Sequence, residues 1–397
     1  MCGAGLVDTV GTVISSPVLT TGGSALDATG VFADAGRSGN DELAVAHVDL
    51  EAIAANTRWF VAQADGAALM AVVKADAFGH GAGPVARAAL DAGAAWLGVA
   101  HIEEGIALRR VNIQAPILAW IMDPRRIGDA IGHGLDLSVS SIEDLDAVAS
   151  LSSSRCAAVH LKLDTGLHRA GAALDAWSTM VRRARQMEDT GVLRVLGIWS
   201  HLSHGDVPDH AENKEQQARY WAGVEVARRV GLRPSVTHLA NSGGVTQLGA
   251  AGCSMVRVGA GLYGIDVFHG QGPFGARVAL RPALTLDARI VGVRRVPAGA
   301  GIGYGHDTVS TRATTLALVP MSYADGLPRI AGGRTSMSVT GRRVAVVGRI
   351  SMDLTVLDVG DLPVRIGDRS ASSATATTRP RPWPTGRHGR TPSRTRF

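Results

Sequence analysis

From residue 44 onward, short apolar runs alternate with stretches whose apolar positions recur at helical spacing. Ala44–Leu50 alternates apolar and polar residues, the pattern of a half-buried strand. Eight runs follow: Leu69–Lys74, Trp96–Ala100, Pro116–Ile121, Leu135–Ser140, Ala157–Leu163, Val195–His201, Ser235–Leu239 and Met255–Val258. Between them, Gly83–Ala92, Ile102–Arg110, Ser141–Leu151, Ala173–Met187 and Glu212–Val230 carry helical periodicity. Strands buried on both faces, each followed by a helix, predict an α/β fold, a (β/α)8 barrel over residues 41–280. An open doubly wound sheet has the same periodicity; the count of eight favours closure. After Arg281 the texture becomes Val- and Gly-rich, with runs at Leu284–Val293, Thr314–Pro320, Ser336–Thr340, Val344–Gly348 and Asp353–Val359. No helical pattern separates these, so residues 281–368 are expected to form a mostly-β domain. Residues 1–40 lack sustained periodicity and read as a disordered or non-native arm, and residues 369–397 as a basic tail.

Composition narrows the class. The 397 residues are 46% hydrophobic, and no apolar run reaches the roughly 18 residues of a membrane span. No basic n-region leads an apolar stretch at the N-terminus, and Cys2, Cys156 and Cys253 lie far apart without metal spacing. A soluble cytoplasmic protein is expected, with no metal and no membrane partner. The net charge of +5 suggests a polyanion partner until its source is located. Seven arginines fall in residues 369–397 without a single Asp, Glu or Lys, and without them the charge is −2. No nucleic-acid partner is expected of the folded part.

Candidate chemistry sits where strands end. Ala71-Val72-Val73-Lys74-Ala75-Asp76 closes a buried strand on a lysine, at the barrel face where active sites gather. Burial of an ammonium favours the neutral amine that Schiff-base chemistry needs; a lysine snorkelling from a strand end is the equal alternative. Lys162–Gly171 ends another strand and sets Arg169 on a loop, suited to forking onto a carboxylate or to a plain ion pair. His201 and Asp206 follow the sixth barrel strand. Asn241-Ser242-Gly243-Gly244 opens a helix after the seventh, either as a phosphate cradle or as an ordinary N-cap. Arg257, Gly259 and Ala260 end the eighth.

Taken in order, Lys74 in its Val-Val-Lys-Ala-Asp setting, Lys162–Gly171, His238–Gly244, Arg257–Gly264 and Gly348–Asp353 resemble the alanine racemase family over residues 44–368. The resemblance implies a barrel binding pyridoxal 5′-phosphate (PLP), a β-domain, and a head-to-tail homodimer making D-alanine for peptidoglycan. Position by position, Lys74 would hold PLP as a Schiff base and act as one acid–base group. Tyr304, contributed across the dimer, would be the other. His201 matches the histidine that contacts that tyrosine, and Arg257 the group touching both this histidine and the pyridine nitrogen. Asn241, Ser242, Gly259 and Ala260 would complete the cofactor site. Arg169 and the Met352 backbone would take the substrate carboxylate, supported by Lys162, often carbamylated in the family, and by Asp353. Asp206, Tyr323 and Arg329 match residues of the access corridor, where solvated surface groups are the alternative. Racemisation of serine or another small amino acid, or PLP binding without turnover, are the other readings the resemblance leaves.

Two departures stand out. Phe78 takes the place of a tyrosine whose hydroxyl reaches the phosphate in the family, and Ser351 that of a frequent cysteine. After Asp368, the family's Phe-Gly, Ala-Asp-Trp-Ala and Ile-Xaa-Tyr-Glu-Ile words are missing. All three are recovered, in order and in one shifted frame, from permitted codons of Ser372–Phe397. A frameshift near Asp368 is therefore expected, to be tested by sequencing that stretch of DNA.

Overall fold

The computed structural model describes residues 13–14, 43–152, 156–268 and 280–373. The expected N-terminal arm, apart from residues 13–14, and the tail beyond residue 373 lie outside these described residues. In chain order the strands begin with β1 (Val13–Ile14) and β2 (Ala44–Val48). Then come β3 (Ala68–Val72), β4 (Trp96–Val99), β5 (Ile117–Ala119), β6 (Asp136–Val139), β7 (Ala157–Lys162), β8 (Leu193–Trp199), β9 (Val236–His238) and β10 (Met255–Val258). These eight are parallel, and pairing of β10 with β3 closes the barrel.

The helices are α1 (Leu50–Gln63), α2 (Lys74–Gly79), α3 (Ala82–Asp91), α4 (Ile102–Arg110), α5 (Ile127–Gly132), α6 (Ile142–Leu151), α7 (Leu174–Asp189), α8 (Ala211–Arg229) and α9 (Ser242–Leu248). Side-chain caps explain several starts. Asp49 accepts from the Ala52 N–H, Ser141 from Asp144 and Asn241 from Gly244. Val159, Leu161 and Leu163 face outward into the core shared with the helices. The opposite phase of the same strand, His160 and Lys162, points into the barrel. Met70, Leu118 and Met255 fill the interior below them.

The second domain contains β11 (Leu284–Arg289), β12 (Gly292–Val296), β13 (Gly301–Ile302), β14 (Thr308–Val309), β15 (Thr314–Val319), β16 (Ser336–Val339), β17 (Arg342–Val347), β18 (Thr355–Gly360) and β19 (Arg369–Ser373). Its main sheet runs β1-β2-β11-β19-β16-β17-β18-β15-β12 around a core that includes Ile290, Ala317, Val339 and Leu357. Two expected boundaries are corrected here. β2, placed with the barrel by its position in the chain, pairs antiparallel with β11 and belongs to this sheet. β19 lies beyond Asp368, so residues 369–373 are sheet, paired with β11 and β16, rather than tail. Neither was visible to a local pattern, because each strand finds its partners far away in sequence.

Among the described residues, no helix is long and apolar enough to cross a membrane.

Candidate active site

At the C-terminal mouth of the barrel lies a cavity of about 760 Å³. Lys74, Lys162, Arg169, His201, Asp206, Asn241, Ser242, Arg257, Gly259 and Ala260 all line it, so ten residues singled out in the sequence share one wall. Lys74 follows β3 after one residue, Val73, and is half-buried. The chain then makes a left-handed turn: Ala75, Asp76, Ala77 and Phe78 have φ between 49° and 58°. That conformation costs about 1–2 kcal/mol per non-glycine residue, so it persists only where neighbours impose it. Here Glu104 accepts from the Ala75 N–H at 2.6 Å, and Asp76 from Ala82 at 2.7 Å. Ala77 is fully buried. Nothing in the local residue pattern signals this strain.

Arg257 is buried, and four acceptors hold its two Nη groups. Its two Nη2 hydrogens face three acceptors, the Ser200 carbonyl at 2.7 Å, the Leu239 carbonyl at 3.0 Å and His201 Nδ1 at 3.1 Å, so one of them is shared. Its Nη1 donates to His238 Nδ1 at 3.0 Å. Burial lowers its pKa to about 10, which leaves it charged at neutral pH. The Trp199 ring lies under both Arg257, at 4.9 Å, and the Lys162 ammonium, at 4.3 Å. Burial, then Arg257 and Arg169, pull Lys162 down to about 8. His201 is held well below the ordinary histidine value by burial and then by Arg257, Arg169, Lys162 and Lys74. Against these four cations the described cavity wall sets a single carboxylate, Asp206. Such a balance attracts anions.

Ser242 is poised as a donor. Its Oγ accepts from the Gly259 N–H at 3.1 Å and from Gly261 at 3.4 Å, which leaves its own hydrogen for a ligand. Asn241 caps α9 through Oδ1, so the N-cap reading of that residue holds beside its place in the wall. Phe78 lines the wall as well, its ring 4.6 Å from that of Tyr263.

The remaining candidates do not line this cavity. Tyr304 (69% exposed), Tyr323, Arg329, Met352 and Asp353 are exposed on the β-domain. Local packing gathers most of them. Gly303 and Gly305, on either side of Tyr304, lie against Gly348 and Arg349, and a side chain on Gly332, three residues after Arg329, would run into the Gly348 carbonyl. The Ala324 N–H, next to Tyr323, donates to the Met352 carbonyl at 3.2 Å. The site residues therefore form two clusters within one chain.

A lysine following a barrel strand in an electropositive cavity, with Tyr304 exposed on an appended β-domain, defines a two-domain barrel enzyme for an anionic ligand. Residues 48–267 match the family described as Alanine racemase, N-terminal domain, and residues 283–375 match Alanine racemase, C-terminal domain. This chain belongs to the alanine racemase family. An alanine racemase of Frankia casuarinae is 43% identical over 334 residues, covering 83% of this chain and 87% of the relative. The crystal structure of alanine racemase from a D-cycloserine-producing Streptomyces lavendulae superposes with a TM-score of 0.79 at 40% identity, covering 83% of this chain and 86% of that one. The alanine racemase of Bartonella henselae, solved with covalently bound pyridoxal phosphate, gives 0.74 at 27% identity, covering 83% and 90%.

Proposed function

We propose that this chain interconverts L- and D-alanine, holding PLP at Lys74 and drawing Tyr304 from a second copy of itself. The carrying observation is the placement of Lys74 beside the His201–Arg257 pair in a cavity whose cations outnumber its carboxylates. The residues present fit the cofactor. The Ser242 hydroxyl and the backbone at Ala260, with Gly259 adding no side chain beside them, suit a phosphate, and Arg257 a pyridine nitrogen. When bound, PLP supplies the electron withdrawal that makes an amino acid's α-hydrogen acidic enough to remove.

The chain's own groups then divide the work. The Lys74 amine moves a proton at one face of the substrate α-carbon, and the Tyr304 hydroxyl at the other. A phenol is a poor base near neutrality and needs a partner that favours its ionised form. His201 is arranged for this: the nearer of its two donor neighbours is Arg257, 3.1 Å from Nδ1, against 3.5 Å from Asn241 Nδ2 to Nε2, so its own proton sits on Nε2 and can be offered to the phenolate. Arg257 stays a donor that does not surrender its proton to a ring nitrogen near neutral pH, which limits how much charge that ring draws in. Arg169 and the Met352 N–H would hold the substrate carboxylate. Near pH 8 a fraction of the Lys162 amine is neutral, the form that adds carbon dioxide, and the resulting carbamate would steady Arg169. Asp206, Tyr323 and Arg329 would border the approach to the site, and Asp353 would support Met352. Tyr304 and Met352 lie outside the cavity of their own chain, which supports a head-to-tail dimer.

The test is direct. The purified chain, supplied with PLP and L-alanine, is expected to release D-alanine, measured by chiral chromatography, while Lys74→Ala releases none. Borohydride reduction is expected to leave a pyridoxyl mass on Lys74. A folded sample that retains no PLP would overturn the assignment.

A further inference from the structure

Two histidines at the centre of the barrel have no part in this account. His160 on β7 and His238 on β9 are fully buried, and their Nδ1 and Nε2 atoms, respectively, lie 2.9 Å apart. His238 Nδ1 is 3.0 Å from Arg257 Nη1, and Arg257 Nη2 is 3.1 Å from His201 Nδ1. A line of four groups thus runs from the barrel interior to the cavity wall. Donor logic fixes its protons. A guanidinium only donates, so His238 must accept at Nδ1 and carry its hydrogen on Nε2. That hydrogen points at His160 Nδ1, which must accept in turn. His160 then bears its hydrogen on Nε2, an atom with no hydrogen-bond partner among the described residues. The Trp96 ring lies beside it, edge-on at 5.4 Å.

The pocket is built around these rings. A side chain on Gly197 would run into the His160 imidazole, and His238 stacks parallel to Trp199 at 5.5 Å. Burial, then the charge of Arg257, pushes His160 down to about 3 and His238 well below its ordinary value, so both rings stay neutral.

We propose that His160 is a positioning residue: by accepting from His238 it locks the tautomer that receives Arg257, and thereby aims Arg257 at His201. Without an acceptor at 160, His238 is free to carry its hydrogen on Nδ1, where it opposes the Nη1–H of Arg257. The guanidinium then shifts, and His201 loses the donor that keeps its own hydrogen on Nε2. The inference rests on the racemase reading only for its effect on turnover.

Histidine-labelled protein examined by ¹⁵N NMR tests it. The wild-type chain is expected to show His160 and His238 protonated on Nε2 alone, without titration between pH 6 and 9. His160→Asn, whose amide oxygen occupies the place of Nδ1, is expected to preserve the His238 tautomer. His160→Leu is expected to mix the tautomers of His238 and His201 and to lower kcat about tenfold or more, as for a weakened hydrogen bond to a buried charge. A wild-type His238 protonated on Nδ1 would overturn the proposal, as would a folded His160→Leu protein with both tautomers unchanged. The wild-type spectrum needs neither turnover nor the variant, so an inactive chain and a wrong relay are told apart.

Discussion

Asp136 opens β6 at the barrel end opposite the cavity, only 9% exposed. Burial raises its pKa to about 7, while Arg194 and Arg109 pull the other way. Arg109 is engaged elsewhere, donating to the Ile113, Ala115, His133 and Gly134 carbonyls. An unfolded Asp titrates near 3.8, so between pH 4 and 7 the folded chain holds a proton that the unfolded chain has lost. The sign follows: stability falls as pH rises through that window, and the penalty is complete above it. Asp136→Asn is expected to raise stability at pH 8, by up to about 4 kcal/mol, and to change little at pH 4, as read from urea unfolding at both. The cavity residues were legible chiefly through the family resemblance, and Lys74, Lys162 and Arg257 also because each is a cation in or just after a buried strand. His160 was not singled out, although a signal was present: His160 and Lys162 are polar at alternate positions of an otherwise apolar strand, and so share the interior face.

The loop from β7 to α7 shows how an element carries a functional side chain. Asp164 Oδ1 accepts from the N–H groups of Gly166, Leu167 and His168 at 2.9, 3.1 and 3.2 Å. Burial opposes the ionisation of Asp164, but these N–H groups and the His168 ring hold it below the usual carboxylate range. Gly166, with φ of 131°, takes a conformation open to glycine, and the loop then presents Arg169 to the cavity. Asp164→Ala is expected to raise KM for alanine about tenfold with a smaller change in kcat, while Asp164→Asn retains most of the wild-type KM. Steady-state kinetics of the three proteins decide it. All eight barrel strands were readable within a few residues, since burial on both faces leaves an unmistakable apolar run. Leu284–Val293 was not: expected as one strand, it is β11 and β12. The chain changes partners there, with the Ile290 N–H donating to the Asp368 carbonyl and the Val291 N–H to Leu318. Periodicity records which face a residue takes, not which neighbour it pairs with.

For the whole molecule, the separation of the two site clusters makes a quantitative demand. In a head-to-tail dimer each site takes Lys74 from one protomer and Tyr304 from the other. Mixing Lys74→Ala with Tyr304→Phe protein, each inactive alone, and allowing the protomers to exchange is expected to restore about a quarter of wild-type activity. Half the dimers are then mixed, and each mixed dimer has one intact site. Activity that stays at zero after demonstrated exchange would place both groups within one chain. The β-domain sheet has a further consequence, concerning synthesis. β11 lies between β2, residues 44–48, and β19, residues 369–373. On a ribosome adding roughly 5–20 residues per second, β2 therefore emerges at least ten seconds or so before β11. During that interval the whole barrel can form, and β2 must wait beside it with β1 on one edge and the other edge unpaired. The order of translation thus makes the β-domain the last part to close, and leaves its closure to β19, the last of the described strands.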